Sequence, residues 1–223
     1  MKKVLLPILS ILLILTFSNI NAQTHFALGA RAGLNMANLS FDPDIQAGLT
    51  KSSRTGFKFG AVAEIGFMPM LALQIEPMYA QGGCVVDNVI FGVSTKGKVT
   101  FKLGYLEIPI LLKYKINLPG PVQPYVFAGP NLGFVFSSNQ FQEAGGQSAE
   151  TDMKDETSSI NFGIDFGAGA GFQVTPMTVV LLDIRYALGL SNMLNDKGKQ
   201  SFGANQSIKT NGFQIVAGVM FGL

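Results

Sequence analysis

The chain has 223 residues, with 16 basic against 14 acidic side chains, a single histidine, a single cysteine and no tryptophan. Charged residues make up 13%, about half the ~25% usual in soluble domains, and 26 residues are glycine. Setting aside Lys2 and Lys3 leaves 14 basic against 14 acidic groups, a balance that excludes an electrostatic partnership with nucleic acid; the lone Cys84 excludes an internal disulfide.

Residues 1–22 read as a secretory signal peptide, followed by one domain over residues 23–223. Lys2 and Lys3 give the positive start, Val4 to Phe17 the apolar stretch, and Asn19 to Ala22 the cleavage region. The apolar stretch is short for a membrane-spanning helix, and no later segment is long and apolar enough to be one.

Beyond the leader, side chains alternate with period 2 in eight runs: residues 25–36, 56–67, 71–80, 99–115, 124–136, 161–173, 177–190 and 211–221. In the first run Phe26, Leu28, Ala30, Ala32 and Leu34 oppose Gly29, Arg31, Gly33 and Asn35. In the second, Phe57, Phe59, Ala61, Ala63, Ile65 and Phe67 oppose Lys58, Gly60, Glu64 and Gly66. The fourth changes phase: Val99, Phe101 and Leu103 are apolar at odd positions, then Leu106, Ile108, Ile110, Leu112 and Tyr114 at even ones. A β-bulge near Gly104 and Tyr105 is expected there. The sixth run is the clearest, with Phe162, Ile164, Phe166, Ala168, Ala170 and Phe172 against Asn161, Gly163, Asp165, Gly167, Gly169 and Gly171. The seventh places Val180, Leu182, Ile184, Tyr186 and Leu188 opposite Asp183 and Arg185, and the eighth Phe213, Ile215, Ala217, Val219 and Phe221 opposite Gln214 and Gly218.

The gaps between runs alternate too. Those at 37–55, 81–98, 137–160 and 191–210 are long, whereas Met68 to Met70, Ile116 to Gln123 and Val174 to Pro176 are short and contain proline. Tight turns at one end and loose loops at the other predict an all-β fold: an eight-stranded antiparallel up-and-down transmembrane β-barrel of outer-membrane type, its termini on the tight, periplasmic side. A lipocalin-like barrel shares the alternation but points its apolar face inward. Three features favour lipid outside: an apolar face almost free of charge, a glycine-dense polar face, and the loop asymmetry.

An eight-stranded barrel has an interior that side chains fill. The polar face therefore predicts a lumen charge network of Arg31, Lys58, Glu64, Glu76, Glu107, Lys113, Asp165, Asp183 and Arg185, four basic and five acidic groups that must pair to offset desolvation. Phe57, Phe67, Tyr79, Tyr114, Phe136, Phe172 and Tyr186 are expected in aromatic girdles near strand ends. Phe213 to Leu223, with Phe221 on the lipid face, looks like a C-terminal signal for the barrel-insertion machinery.

The stretch Tyr105-Leu106-Glu107-Ile108-Pro109-Ile110-Leu111-Leu112-Lys113-Tyr114 resembles a segment of the PorT-like outer-membrane β-barrel family of Bacteroidetes. Gly29 to Asn35, Pro124 to Pro130 and Arg185 to Ser191 agree with it in the same order. The resemblance implies an eight-stranded barrel in the outer membrane and, through the named family member, a link to type IX protein secretion. It brings no catalytic residues.

Chemistry-bearing constellations are sparse. His25 stands alone at the predicted periplasmic entrance, away from any nucleophile, so no catalytic residue is assigned and no enzyme is expected. One histidine and one cysteine are too few soft ligands for a zinc or copper centre, and no cofactor or metal is expected. Gly163 to Gly171 lacks the following helix that a nucleotide fold needs. Cys84 falls in a predicted loop. Glu143, Glu150, Asp152, Asp155 and Glu156 crowd the third loop with Lys154, as a solvated, mobile segment rather than a cation site. Lys96, Lys98, Lys197 and Lys199 read as surface charge at the outer rim. Expected partners are outer-membrane lipid and lipopolysaccharide, the insertion machinery and secretion-system proteins. The expected role is structural, docking or secretion-accessory; a small-solute porin and a lipid-modifying enzyme are the alternatives.

Overall fold

A computed structural model describes residues 25–44, 48–91, 95–203 and 205–222. Residues 1–22, read from the sequence as a signal peptide, lie outside the described residues. Ten strands follow one another: β1 (His25–Asp42), β2 (Thr50–Met68), β3 (Leu71–Ile75), β4 (Met78–Phe91), β5 (Thr95–Lys115), β6 (Val122–Ala144), β7 (Gln147–Asp152), β8 (Ile160–Thr175), β9 (Thr178–Gly189) and β10 (Ser207–Gly222). A short helix, α1 (Asp196–Phe202), precedes the last strand.

Eight staves close into a ring. The pairings run β1–β2, β2 to β3 and β4, both of these to β5, then β5–β6, β6–β8, β8–β9 and β9–β10. The β1–β10 ladder, from Ala27↔Gly222 to Asp42↔Ser207, closes it. Every pairing is antiparallel, and no open edge is left in the ring, as hydrocarbon surroundings demand. β3 and β4 are halves of one stave. The split falls at Glu76-Pro77, because proline brings no N–H to the ladder; instead the Glu76 N–H donates to Pro109 O at 3.1 Å.

Alternation sorts the faces as the period-2 pattern requires. On β9, Asp183 and Arg185 are each 1% exposed, whereas Leu182 is 55% and Ile184 62% exposed. Phe59, Leu34, Phe166, Leu112 and Phe213 are among the other large apolar side chains left on the outside. So broad an apolar exterior suits hydrocarbon and not water. An aromatic row crosses this face. Phe57 and Phe59 stack at 6.1 Å, Phe59 meets Tyr79 at 5.3 Å, and Tyr79 meets Phe136 at 5.7 Å. The last contact reaches across β5 at Gly104, where an added Cβ would sit 3.1 Å from the Phe136 ring. A second group joins Phe166, Tyr186 and Phe213. Tyr114 and Phe172 are exposed nearer the tight turns.

The structure corrects four expectations. Most of the first three long gaps is strand: β1 and β2 run to Asp42 and from Thr50, β4 and β5 to Phe91 and from Thr95, and β6 and β7 fill much of 137–160. Beyond the apolar belt outward residues meet water, so the apolar–polar contrast fades while the ladder continues. Cys84 consequently lies on β4, buried, rather than in a loop. The third run, 71–80, is broken at its proline. Finally, β5 does not change phase: odd residues Val99, Leu103, Tyr105, Glu107, Leu111 and Lys113 all face inward. The register shift does fall at Gly104/Tyr105, but the extra residue is Phe136 on β6, since Gly104 pairs with Ser137 and Tyr105 with Val135. The apolar odd residues Val99 and Leu103 face an interior core near the loop end, not lipid.

Candidate functional site: the barrel interior and its loop end

All nine expected lumen charges point inward, none more than 4% exposed. They stack in tiers along the barrel axis. Nearest the tight turns, Glu64 on β2 takes Lys113 at 2.8 Å and Lys115 at 2.5 Å. Lys113 also donates to Gln74 Oε1 at 3.1 Å and lies 3.8 Å over the Tyr125 ring.

The central tier joins two arginines to two acids. Arg31 on β1 contacts both Glu76 and Asp183. Arg185 on β9 reaches Glu76 Oε2 at 2.8 Å and Asp183 Oδ2 at 2.7 Å, its guanidinium 5.0 Å from the Phe127 ring centre. The Tyr125 hydroxyl donates to Asp183 and the Gln74 amide to Glu76. Gly169 makes room for this: a Cβ there would collide with Asp183 Oδ1 and come within 2.7 Å of the Tyr125 ring.

Toward the loop end, Lys58 on β2 bonds Glu107 at 2.6 Å and Gln214 at 2.7 Å. Asp165 on β8 accepts from Asn131 Nδ2 at 3.1 Å. Asn35 donates to the Tyr105 hydroxyl at 3.3 Å and to Gln81 O at 2.8 Å. These uncharged partners were not singled out from the sequence as a set, although Gln74, Gln214 and Asn35 share the parity of the charges beside them and Tyr125 the parity of Phe127.

Above these tiers the interior turns apolar. Leu39, Cys84, Val86, Leu103, Val135 and Ile208 pack with Met193 and Leu194. The last two come from the fourth loop, which folds back over the mouth. Met193 N donates to Ile208 O at 2.7 Å, Ser158 N to Met193 O at 2.6 Å, and Thr157 bridges Leu194. Asn195 caps α1 by accepting from Gly198 N at 3.0 Å and ties the helix to the third loop by donating to Asp155 O at 2.7 Å.

At the opposite end His25 is exposed and lines a vestibule of about 220 Å³ with Lys115, Gln123 and Tyr125. The acidic residues of the third loop are dispersed. Glu143 pairs with Lys98 at 2.9 Å, Glu150 accepts from Asn139, Asp152 accepts from Lys154 N at 2.8 Å, and Asp155 faces Lys197 at 3.7 Å. Among the described residues no three histidine, cysteine or acidic side chains converge as metal ligands.

The family profile described as Outer membrane protein beta-barrel domain matches residues 21–195. No curated protein matches the chain in sequence. Solved structures share its fold at low identity. Neisserial surface protein A is 19% identical, with TM-score 0.50 and coverage of 88% of this chain and 96% of that one. OprG from Pseudomonas aeruginosa is 14% identical, with TM-score 0.53 and coverage of 90% and 96%. A major outer membrane protein from Thermus thermophilus is 13% identical, with TM-score 0.52 and coverage of 90% and 100%.

Proposed function

Because the chain belongs to the outer membrane protein beta-barrel domain family, and so resides in the outer membrane, we propose that it is a non-catalytic docking barrel whose work is done by its loop-end rim. The finer reading is a PorT-like accessory of protein secretion in Bacteroidetes, carried by the Tyr105 to Tyr114 segment. One observation supports docking above all: beyond the periplasmic vestibule the interior is blocked by packed side chains, so little but the outer surface remains to engage anything. Three ionic tiers occupy the lumen, and Met193 and Leu194 sit over its mouth. The rim is not a set of loose loops. The upper ends of β4, β5 and β6 rise as a sheet with β7 on its free edge, and all six residues of Gln147–Asp152 are exposed. Its outward side carries Lys98, Lys102, Asn139 and Glu143, with the Lys102 ammonium 3.5 Å over the Phe141 ring.

Lipid and lipopolysaccharide contact the aromatic row and the basic side chains above it, and the insertion machinery reads the last strand, where Phe221 is exposed. The tight turns and both termini face the periplasm. His25 stands at that end, opposite the rim to which the docking role is assigned. A porin reading conflicts with the packed lumen.

Two measurements test the proposal. Planar bilayers carrying the refolded protein are expected to stay non-conducting; steady single-channel steps of porin size would overturn it. A photocrosslinker at Ala149 on β7 is expected to give a discrete protein adduct in native outer membranes, whereas one at Ile184 gives lipid. Adducts with lipid alone from both positions would remove the docking role.

A further inference from the structure

The lumen charges are unequally shared along the axis. Glu64 holds two lysines, Glu76 and Asp183 share two arginines, and Glu107 has Lys58. Among the described residues Asp165 alone of these acids forms no ion pair, although it is only 1% exposed. Its Oδ1 takes the Asn131 amide at 3.1 Å. Its Oδ2, like the Oδ1 of Asn131, is buried without a hydrogen-bond partner. The only other such atoms among the described residues are the Nε donors of Arg31 and Arg185, in the central tier.

Asp165 and Asn131 line one cavity of about 30 Å³ together with Glu107, Tyr105 and Gln214. That is room enough for a water or a small ion. An ionised carboxylate so deeply buried is strongly disfavoured unless positive charge meets it. The oxygens around the cavity are carboxylate, amide and hydroxyl, a set that suits hard cations. Glu107 is already balanced by Lys58, so Asp165 offers a single uncompensated carboxylate, which suits a monovalent ion better than a divalent one. One negative charge is left over, so one positive charge completes the tier.

We infer that the lumen holds a single alkali-metal cation of sodium size between Asp165 Oδ2 and Asn131 Oδ1. The cation does for Asp165 what Lys58 does for Glu107, and it makes the stability of the barrel depend on which monovalent cation is present.

The full chain, refolded in detergent at mildly alkaline pH, is the sample. Heat unfolding is followed in sodium chloride and in choline chloride of equal ionic strength. The wild-type midpoint is expected to be higher in sodium by about 3 °C or more. Asp165→Asn is expected to lose that difference and to be at least as stable as wild type in choline. Crystals grown in a thallium(I) salt are expected to show an anomalous peak between Asp165 and Asn131. Equal wild-type midpoints in the two salts, with no such peak, would mean that a proton or a water satisfies the carboxyl, and the inference falls. A sodium response undiminished in Asp165→Asn would place the cation elsewhere. Should that variant fail to refold, the wild-type comparison and the anomalous map decide.

Discussion

The interior of this barrel is sealed in two ways, and the contrast between them is instructive. Through the belt where the outside is apolar, the inside is built around ions: Arg31, Arg185, Glu76 and Asp183 bond one another, with Val62, Leu111, Phe127 and Leu181 packed beside them. At the loop end, where the outward face of the wall turns polar, the inside is apolar, with Leu39, Val86, Leu103, Met193 and Leu194 in contact. The two halves are inverted with respect to each other. Each stave has only two faces, and a face that meets hydrocarbon takes the apolar residues, leaving polar ones for the lumen. Once the wall leaves the lipid the constraint reverses, and ordinary water-driven burial builds a core like that of a soluble sandwich.

The two seals should fail differently. The largest effect is expected from Glu76→Ala, which leaves Asp183 alone to hold both Arg31 and Arg185 in the central tier. Breaking a buried pair by removing one partner costs about 3–5 kcal/mol. Urea unfolding in detergent should show this, or the variant should not regain the compact, fast-migrating form on unheated gels. Wild-type stability in Glu76→Ala would mean that the ionic tiers do not hold the barrel together. A smaller loss, about 2 kcal/mol, is expected from Leu194→Ala, because it opens a void in a cap that is packed rather than charged. Its distinguishing mark is access: the buried Cys84 should react faster with a maleimide than in wild type, while the central tier stays intact. Unchanged labelling would show that the fourth loop does not guard the mouth.

The smallest effect belongs to the exposed Lys98–Glu143 pair on the rim. The hydrogen bond from Lys98 to Glu143, and then their mutual attraction, raises the lysine above its usual range. A base raised on folding contributes its stability below the unfolded value and loses it as pH climbs through the folded one. Neutral pH therefore retains whatever the pair provides, and only strongly alkaline pH removes it. Solvent screening leaves little to remove, so Lys98→Ala should match wild type in its unfolding midpoint.

The lipid-spanning part was legible because period 2 assigns a side to every residue, and lipid permits few exceptions. That is how Asp165, Asp183 and Arg185 were placed in the lumen from alternation alone. The rim was not legible, for the same reason seen from the other side. Gln147–Asp152 is polar throughout, with no alternation to betray that it pairs with β6. Val99 and Leu103 looked like lipid-facing residues in the wrong phase, when they are core residues in the right one. Cys84 follows Gly82-Gly83, a pair that reads as a turn; Gly83 does take φ 129°, yet β4 continues past it. Met193 and Leu194 carry no periodicity at all, and their burial depends on how the fourth loop folds over the third. The pairing within the lumen was beyond the sequence as well, since which stave faces which across the barrel depends on its shear.

The tiers of opposite charge also solve a problem of alignment. A strand displaced by two residues against its neighbour still shows hydrocarbon to the bilayer and polar groups to the inside, so greasiness cannot tell the correct setting from the next one along. Sliding β9 by that step would carry Asp183 and Arg185 away from the heights of Arg31 and Glu76, leaving bare ions in a sealed tube. The buried charges thus act as the notches of a key, admitting one vertical setting of the staves as the cylinder closes.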